Sequence, residues 1–413
     1  MNKKKIINDP VYGFVSIPSE LIFDLIQHPF FQRLRYIKQV SMTHLVYPGA
    51  LHTRFQHAIG AMHLMSMALE TLIYKGVKIT DEEQEAALIA ILLHDIGHGP
   101  FSHSLEHTLI EHVPHELLSS LLIDRLNQEF NGQLDLAKEI FEGKYPRKFL
   151  HQLVASQLDT DRMDYLIRDS FFTGVSEGVI SFDRIIKMLD VVDDFLVVES
   201  KGIYSVEKFL IARRLMYWQV YFHKAVVAAE QMLIQALKRA KYISQTRRLF
   251  ATPALQHFLV NKVNRENLFG SSQHMDRFTE LDDSDILASM KNWVKDSDKV
   301  LSLLCERLMS RNLFKTYIRD TPISAQQLKS IREAACTIFD CDMEEASYLV
   351  IQQQVFNSAY DLSLDNIKIL EKTGELKDIV EASDLSNLEA IGQRVEKYFL
   401  TFPKELDFVT KQI

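Results

Sequence analysis

Ten of the fifteen histidines lie between His44 and His115, and this crowding points to metal or acid–base chemistry rather than to a scattered solvated face. Three segments offer ligand-type side chains: RFQHAIG with His57, LLHDIGHGPFSH with His94 and Asp95, and DTDRMDYLIRD with a choice of aspartates. Two imidazoles with two carboxylates make a mixed N/O donor set suited to a six-coordinate divalent cation, with positions left for water and substrate. A His-Asp dipeptide alone is a weak signal. Here it closes an apolar run and is followed by Gly97, Gly99 and Pro100, so a charged pair ends a buried helix, which is costly unless a cation compensates it. His98, His103 and His115 add imidazoles able to move protons near neutral pH.

The elements that must position these residues are mostly helices. NDPVYGFVSIPSE reads as a short strand or hairpin, and Ser19 caps a helix that Pro29 breaks. FFQRLRYIKQV keeps helical spacing through Phe31, Leu34, Ile37 and Lys38. A helix begins near Thr53 or Arg54 and runs to Gly76; Thr80 with Glu83 is a capping box that opens DEEQEAALIAILLHD, apolar on nearly all faces and therefore central. Further helices are expected over His115 to Phe130, to Phe141, and through LHQLVASQLDTDRMDYLIRDSFF. DDFLVVESKGIYSVEKF reads as a β-hairpin around Lys201-Gly202, and Val206 to Tyr242, without Gly or Pro, as one long helix. Beyond about residue 320, helices mix with strand-like runs such as NIKIL and GELKDIVEA.

Composition sets the outer limits. With 413 residues, 47% hydrophobic and 25% charged, the chain is an ordinary globular one, long enough for two to three domains at roughly 150 residues each. Cys305, Cys336 and Cys341 form no CxxC, which excludes a zinc ribbon or disulfide framework and suits a reducing, cytoplasmic setting. The longest apolar run, Ala86 to Leu93, is too short to span a bilayer, and MNKKKIINDP lacks the apolar core of a signal peptide. A net charge of -8 disfavours a broad nucleic-acid surface while leaving room for a local basic pocket.

The segments NDPVYG, FFQRLRYIKQV, YPGALHTRFQHAIGAMHL, LLHDIGHGPFSHSLEH, PHE, DTDRMDYLIRD and YFHKAV together resemble the HD-domain deoxynucleoside-triphosphate triphosphohydrolases, the group that includes bacterial dGTPases and the sterile-alpha-motif HD-domain dNTPase. The resemblance covers roughly residues 5 to 230. It implies a mainly α fold with an HD-domain phosphohydrolase core, small β-hairpins and an N-terminal regulatory segment over 1–240; little matches beyond about 240, and the helical and finally α+β region over 241–413 is read from its own pattern. It also implies that His57, His94, Asp95 and Asp161 hold a divalent metal (Mn, Mg, Fe, Co, Ni or Zn), with Asp159 and Asp164 left as capping or salt-bridge groups.

By the same resemblance, His98, His103, Glu106 and His115 are catalytic, with Glu106 and His115 as a pair and the proton donor open among the three histidines. Gln39, Arg54, Arg162, Tyr165, Asp169, Arg213, Tyr217 and Tyr221 contact phosphate, sugar or base; Arg162 keeps the charge where some relatives carry lysine. Lys5, Asn8, Gln32 and Arg35 match parts of a site for an activating nucleotide, but Gln27 stands where a well-known relative has the acid that reads guanine, and an amide lacks that carboxylate. The expected reaction is hydrolysis of deoxynucleoside triphosphates to nucleoside and triphosphate by a homo-oligomer, dimer or tetramer. Two rivals stand beside it: an HD phosphohydrolase of another nucleotide or phosphomonoester, and a non-catalytic module binding nucleotide or single-stranded nucleic acid.

Overall fold

The computed structural model describes residues 5–102, 106, 108–268, 272–357, 360, 366–385 and 395–411. The fold is mainly α-helical with small sheets at its edges. It opens with an antiparallel hairpin, β1 (Lys5–Asp9) and β2 (Gly13–Ile17). Asp9 makes the turn by accepting the backbone N–H groups of Val11 and Tyr12 at 2.8 and 3.1 Å. Ser19 then caps α1 (Glu20–Gln27) through the Ile22 N–H.

The helix expected through Lys38 stops early. α2 (Pro29–Gln32) tightens into a 3-10 turn over Arg33–Tyr36, and Ile37 is extended. The reason is that the next backbone donors find partners outside any helix: Lys38 N–H on the Asp283 carboxylate at 3.0 Å, and Gln39 N–H on the His52 carbonyl at 3.0 Å. Gln39 is thereby laid beside the HTRF segment.

α3 (Arg54–Tyr74) and α4 (Asp81–Leu93) start at capping boxes, Thr53 with Gln56 and Thr80 with Glu83. Every residue from Ala86 to Leu93 is buried, as an all-round apolar helix must be. The short β3 (Ile110–Glu111) precedes α5 (His115–Glu129), α6 (Asp135–Phe141) and α7 (Lys148–Val154). α8 (Thr160–Thr173) is separated from α7 by an extended Ala155 and ends at Gly174 in the left-handed region, φ 74°. α3 packs against both α4 and α8, which brings the three ligand-bearing segments to one place.

α9 (Phe182–Met188) leads into the hairpin of β4 (Leu189–Val192) and β5 (Phe195–Glu199). Its turn is Asp193-Asp194, both at positive φ (52° and 61°), and not Lys201-Gly202, which lies in the 3-10 turn before α10 (Ile203–Met216). Asp tolerates the left-handed region because its short side chain can bond locally. The long helix expected to Tyr242 is likewise interrupted. A π-helical turn over Tyr217–Tyr221 is closed by the Phe222 N–H on the Tyr217 carbonyl at 2.7 Å, and the His223 ring caps a new helix, α11 (Lys224–Ile243).

After further helices, β6 (Val263–Asn264) pairs with β3 in parallel. The α+β end expected beyond residue 320 is present. β7 (Lys315–Arg319), β8 (Ile351–Asn357), β9 (Lys368–Leu370), β10 (Leu376–Asp378) and β11 (Val395–Phe402) form two groups: an antiparallel sheet in the order β7-β11-β8, and a β9–β10 hairpin that joins β5 in parallel. One apolar cluster runs through the chain from Val15 to Leu406. No described helix is long and apolar enough to cross a membrane, and the cysteines are free.

Candidate active site

The centre of the site is a pair of fully formed imidazole orientations. His57 Nδ1 donates to Asp164 Oδ2 at 2.7 Å, and His94 Nδ1 donates to the Ile91 carbonyl at 2.6 Å. Both acceptors lack protons to give, so Nδ1 of each ring is fixed as a donor and Nε2 is the atom left to ligate once its proton is displaced. Both Nε2 atoms are buried and make no hydrogen bond. Asp161 Oδ1 stands 3.1 Å from His57 Nε2 and 3.6 Å from His94 Nε2, while the Asp95 carboxylate reaches 3.6 Å from the first and 3.3 Å from the second. Two buried Nε2 atoms facing two carboxylates are the donor set a divalent cation completes in place of the ring protons, and the Nδ1 partners are the outer supports such ligands need. His57, His94 and Asp161 bring ligand atoms within 4.8 Å of one another.

The electrostatics agree with that reading. Burial alone would depress His57, but Asp161 and Asp164 override it and raise the imidazole to about 10. Burial would raise Asp95, yet the Arg54 guanidinium and the imidazoles of His94 and His98 hold it well below the usual carboxylate range. Arg54, first residue of α3, donates Nη1 to Asp95 Oδ2 and Nε to Ser102 Oγ at 2.7 Å. Asp159 is the N-cap of α8, accepting from Arg162 N–H at 2.7 Å, and also pairs with the Arg162 guanidinium. Asp164 is a salt-bridge group to Arg168, as expected, and in addition the acceptor for His57, which the sequence did not announce.

A second cluster lies alongside. Glu106 Oε1 accepts from His115 Nδ1 at 2.8 Å, and the His115 ring stacks on His98 with centroids 3.8 Å apart and planes at 22°. Burial and the Arg54 guanidinium push His98 well below the usual histidine range, so it is a neutral ring under His115. Glu116 is exposed, its Oε1 3.5 Å from His115 Nε2. His103 lies outside the described residues.

These groups open on one cavity of about 490 Å³. Its walls carry Asp95, Asp161, His98 and His115 together with all eight residues expected at the substrate: Gln39, Arg54, Arg162, Tyr165, Asp169, Arg213, Tyr217 and Tyr221. The π-helical turn brings the Tyr217 and Tyr221 rings edge to face, 5.1 Å apart. Asp169 is held from two sides, by His52 Nε2 at 2.7 Å and by the Tyr221 hydroxyl at 2.6 Å, and His52 itself stacks on Phe172. His52 had no assigned role in the sequence reading; its place in LHTRF, five residues before His57, was the available signal.

Lys5, Asn8, Gln32 and Arg35 do not reach this cavity. Lys5 Nζ lies over the Phe23 ring, Arg35 donates to Gln32 Oε1 at 2.8 Å and covers the Phe55 ring, and Asn8 is exposed on β1.

Comparison with known proteins places these features in a family. The HD domain pattern matches residues 54–169 and the HD associated region matches residues 180–251. An uncharacterized protein of Bacillus subtilis is 32% identical over 98% of this chain and 94% of its own length. The deoxynucleoside triphosphate triphosphohydrolase SAMHD1 homolog of Dictyostelium discoideum is 34% identical over 57% of this chain, a match spanning 49% of that protein. The crystal structure of a phosphohydrolase from Bacteroides thetaiotaomicron superposes with a TM-score of 0.94 at 51% identity, covering 97% of this chain and 100% of that one. HD domains depend on a divalent metal, and the His/Asp cluster here is able to hold one.

Proposed function

Since the chain belongs to the HD-domain phosphohydrolase family, the one that contains the deoxynucleoside triphosphate triphosphohydrolases, we propose that it hydrolyses deoxynucleoside triphosphates to deoxynucleoside and triphosphate. The observation that carries this reading is the lining of one cavity, where Arg54, Arg162 and Arg213, the imidazoles of His98 and His115 and the carboxylates of Asp95 and Asp161 stand together with the Gln39 amide and the rings of Tyr165, Tyr217 and Tyr221. A phosphomonoesterase whose substrate lacks a nucleoside has no use for the amide and the tyrosine rings.

His57, His94, Asp95 and Asp161 would hold the metal, which neutralises phosphoryl charge and lowers the pKa of the attacking water. Arg54, Arg162 and Arg213 bind the triphosphate and stabilise charge on it as the bond between the α-phosphorus and the 5′-oxygen breaks. The water oxygen ends on phosphorus, and the 5′-oxygen leaves with a proton. His115 delivers that proton from Nε2, because Glu106 fixes its Nδ1–H, and neutral His98 supports the ring from below. Gln39 and Asp169 hold the 3′-hydroxyl, and Tyr165 and Tyr221 crowd the space a ribose 2′-hydroxyl would occupy.

A homo-oligomer, with Lys5, Asn8, Gln32 and Arg35 receiving an activating nucleotide, completes the proposal. The test is incubation of the purified protein with each deoxynucleoside triphosphate, alone and mixed, with Mg or Mn, and chromatography of the products. Nucleoside with intact triphosphate is expected, and its appearance only in the mixture would mark an effector site. Phosphomonoester turnover with no triphosphate released would overturn the substrate assignment.

A further inference from the structure

A buried polar chain runs from the N-terminal hairpin to His57. Arg168 donates Nε to Asp164 Oδ2 at 2.9 Å, Nη2 to Asp164 Oδ1 at 3.0 Å and Nη1 to Asp9 Oδ2 at 2.8 Å, while Asp164 Oδ2 accepts from His57 Nδ1 at 2.7 Å. The side chains of His57, Asp164 and Arg168 are fully buried, and that of Asp9 is 3% exposed. The Arg168 guanidinium also faces the Tyr12 ring, 5.5 Å from its centre, so the hairpin turn holds it by charge and by its ring. Gly60 on α3 leaves the room: a methyl group there would overlap both Arg168 Nη2 and the Asp164 carboxylate.

A buried ion network is poor at stabilising a fold, because apolar side chains of similar volume do as well or better. What this one supplies is orientation. Arg168 grips both oxygens of Asp164 and fixes the plane of that carboxylate; Asp164 in turn fixes His57 Nδ1 as a donor, which leaves Nε2 to ligate. Asp9 provides the second anion. Without it the guanidinium's charge bears on Asp164 alone, which weakens that carboxylate as the acceptor for His57.

We propose that Asp9 is a positioning residue for the metal site: through Arg168 and Asp164, the seating of the N-terminal hairpin sets the orientation and donor strength of His57, and so the metal affinity. This rests on the reading of His57 as a ligand. Asp9 has two jobs on separate oxygens, since Oδ1 takes the turn N–H groups and Oδ2 takes Arg168. Asp9→Asn keeps an acceptor for the turn and removes the charge facing Arg168, and Gly60→Ala disturbs the same link from the opposite side without touching hairpin or ligand.

The experiment strips the full-length protein of metal and titrates it with Mn, following free Mn by its electron spin resonance signal, alongside the melting temperature of each metal-free variant. Asp9→Asn and Gly60→Ala are each expected to weaken Mn binding about tenfold, and the metal-free melting temperature of Asp9→Asn is expected to fall as well, since one partner of a buried ion pair is lost. Arg168→Lys is expected to weaken it as well, since a point charge cannot replace a planar fork. Wild-type Mn affinity in both Asp9→Asn and Gly60→Ala, or a lowered melting temperature of Asp9→Asn with unchanged affinity, overturns the proposal. If Asp9→Asn does not fold, Gly60→Ala decides by the same criterion. Wild-type Mn binding by His57→Ala would instead show that the ligand reading has failed, and the relay with it.

Discussion

Glu106 Oε1 accepts two hydrogen bonds from one residue, the ring Nδ1–H of His115 at 2.8 Å and the backbone N–H of His115 at 2.9 Å. His115 is the first residue of α5, and Pro114 before it offers no side-chain cap. One carboxylate thus caps the helix and orients the imidazole on its first turn, so the cap holds the acceptor of the ring in place.

This geometry separates two effects of substitution. His115→Ala should leave Mn and nucleotide binding within a few-fold of wild type and reduce turnover by roughly 10²–10⁴-fold, the usual worth of a positioned acid. Glu106→Gln keeps an oxygen for the backbone N–H but loses the charge that steadies the imidazole; turnover should fall by about 10–100-fold with little change in melting temperature. Measured kcat and KM with the four deoxynucleoside triphosphates check both. Normal turnover by His115→Ala would remove the proton-transfer role.

Metal binding should be linked to protons through His57. Its pKa in the folded chain is raised to about 10 by Asp161 and Asp164, against about 6.5 in an unfolded chain. The protonated ring cannot ligate, so Mn affinity should rise with pH up to about 10 and each binding event should release a proton below that. The sign for folding follows from the same shift. A raised pKa gives the metal-free chain stability that is fully present below about 6.5 and is lost as pH rises through about 10. Chelator-treated protein should therefore melt at progressively lower temperature across that range, while metal-loaded protein should not show this loss. Thermal melts at several pH values, with and without chelator, check this.

Asp169 is held by His52 and Tyr221 at 2.7 and 2.6 Å, and Asp169 and Tyr221 of this small network line the cavity. Tyr221→Phe removes one donor from a buried carboxylate, a loss of about 1–3 kcal/mol. The expected result is a several-fold rise in KM for deoxynucleoside triphosphates with a smaller change in kcat, because the lost contact steadies Asp169, proposed to hold the sugar, and not a group at the reacting phosphorus. Steady-state kinetics of the variant, with a 3′-deoxy substrate as control, check the assignment: the control should respond less to the substitution.

How much of this was legible beforehand depended on sequence distance. His57, His94 and Asp95 sit in short segments whose residue types already advertise metal chemistry, and the helices that lead to them are marked by caps and apolar runs; Asp161 is one of several aspartates in its segment, and the family resemblance alone singles it out. The break at Phe222 and His223 was not legible, because neither Gly nor Pro marks it and a π-helical turn keeps the same residue types as the helices it joins. The turn at Asp193-Asp194 was displaced in the sequence reading because Lys201-Gly202 offers the glycine that hairpins favour, while the actual turn uses two aspartates at positive φ. Asp9 with Arg168 was invisible for another reason: the partners are 159 residues apart, and no local pattern pairs them.

The same distance conceals how the second half of the chain supports the histidine loop. Asp283 Oδ1 accepts the Phe101 N–H at 2.7 Å and its Oδ2 accepts the Lys38 N–H at 3.0 Å, tying the loop after His98 to the segment that carries Gln39. Arg33 works from the other side, donating to the Leu281 carbonyl and to the Ile96 and His98 carbonyls at 2.8–2.9 Å. Asp283→Ala strands two N–H groups in a buried setting, and a cost of about 2–4 kcal/mol follows at roughly 1–3 kcal/mol for each lost partner, less what water recovers. Because Ser102, which takes Arg54, lies one residue beyond Phe101, the loosened loop should also lower turnover more than it raises KM. Urea unfolding and steady-state kinetics of Asp283→Ala and Asp283→Asn test this together. Asn keeps one acceptor and should recover part of both losses, whereas a kinetic defect in Ala with wild-type stability would mean that Asp283 acts on the site by some route other than holding this loop.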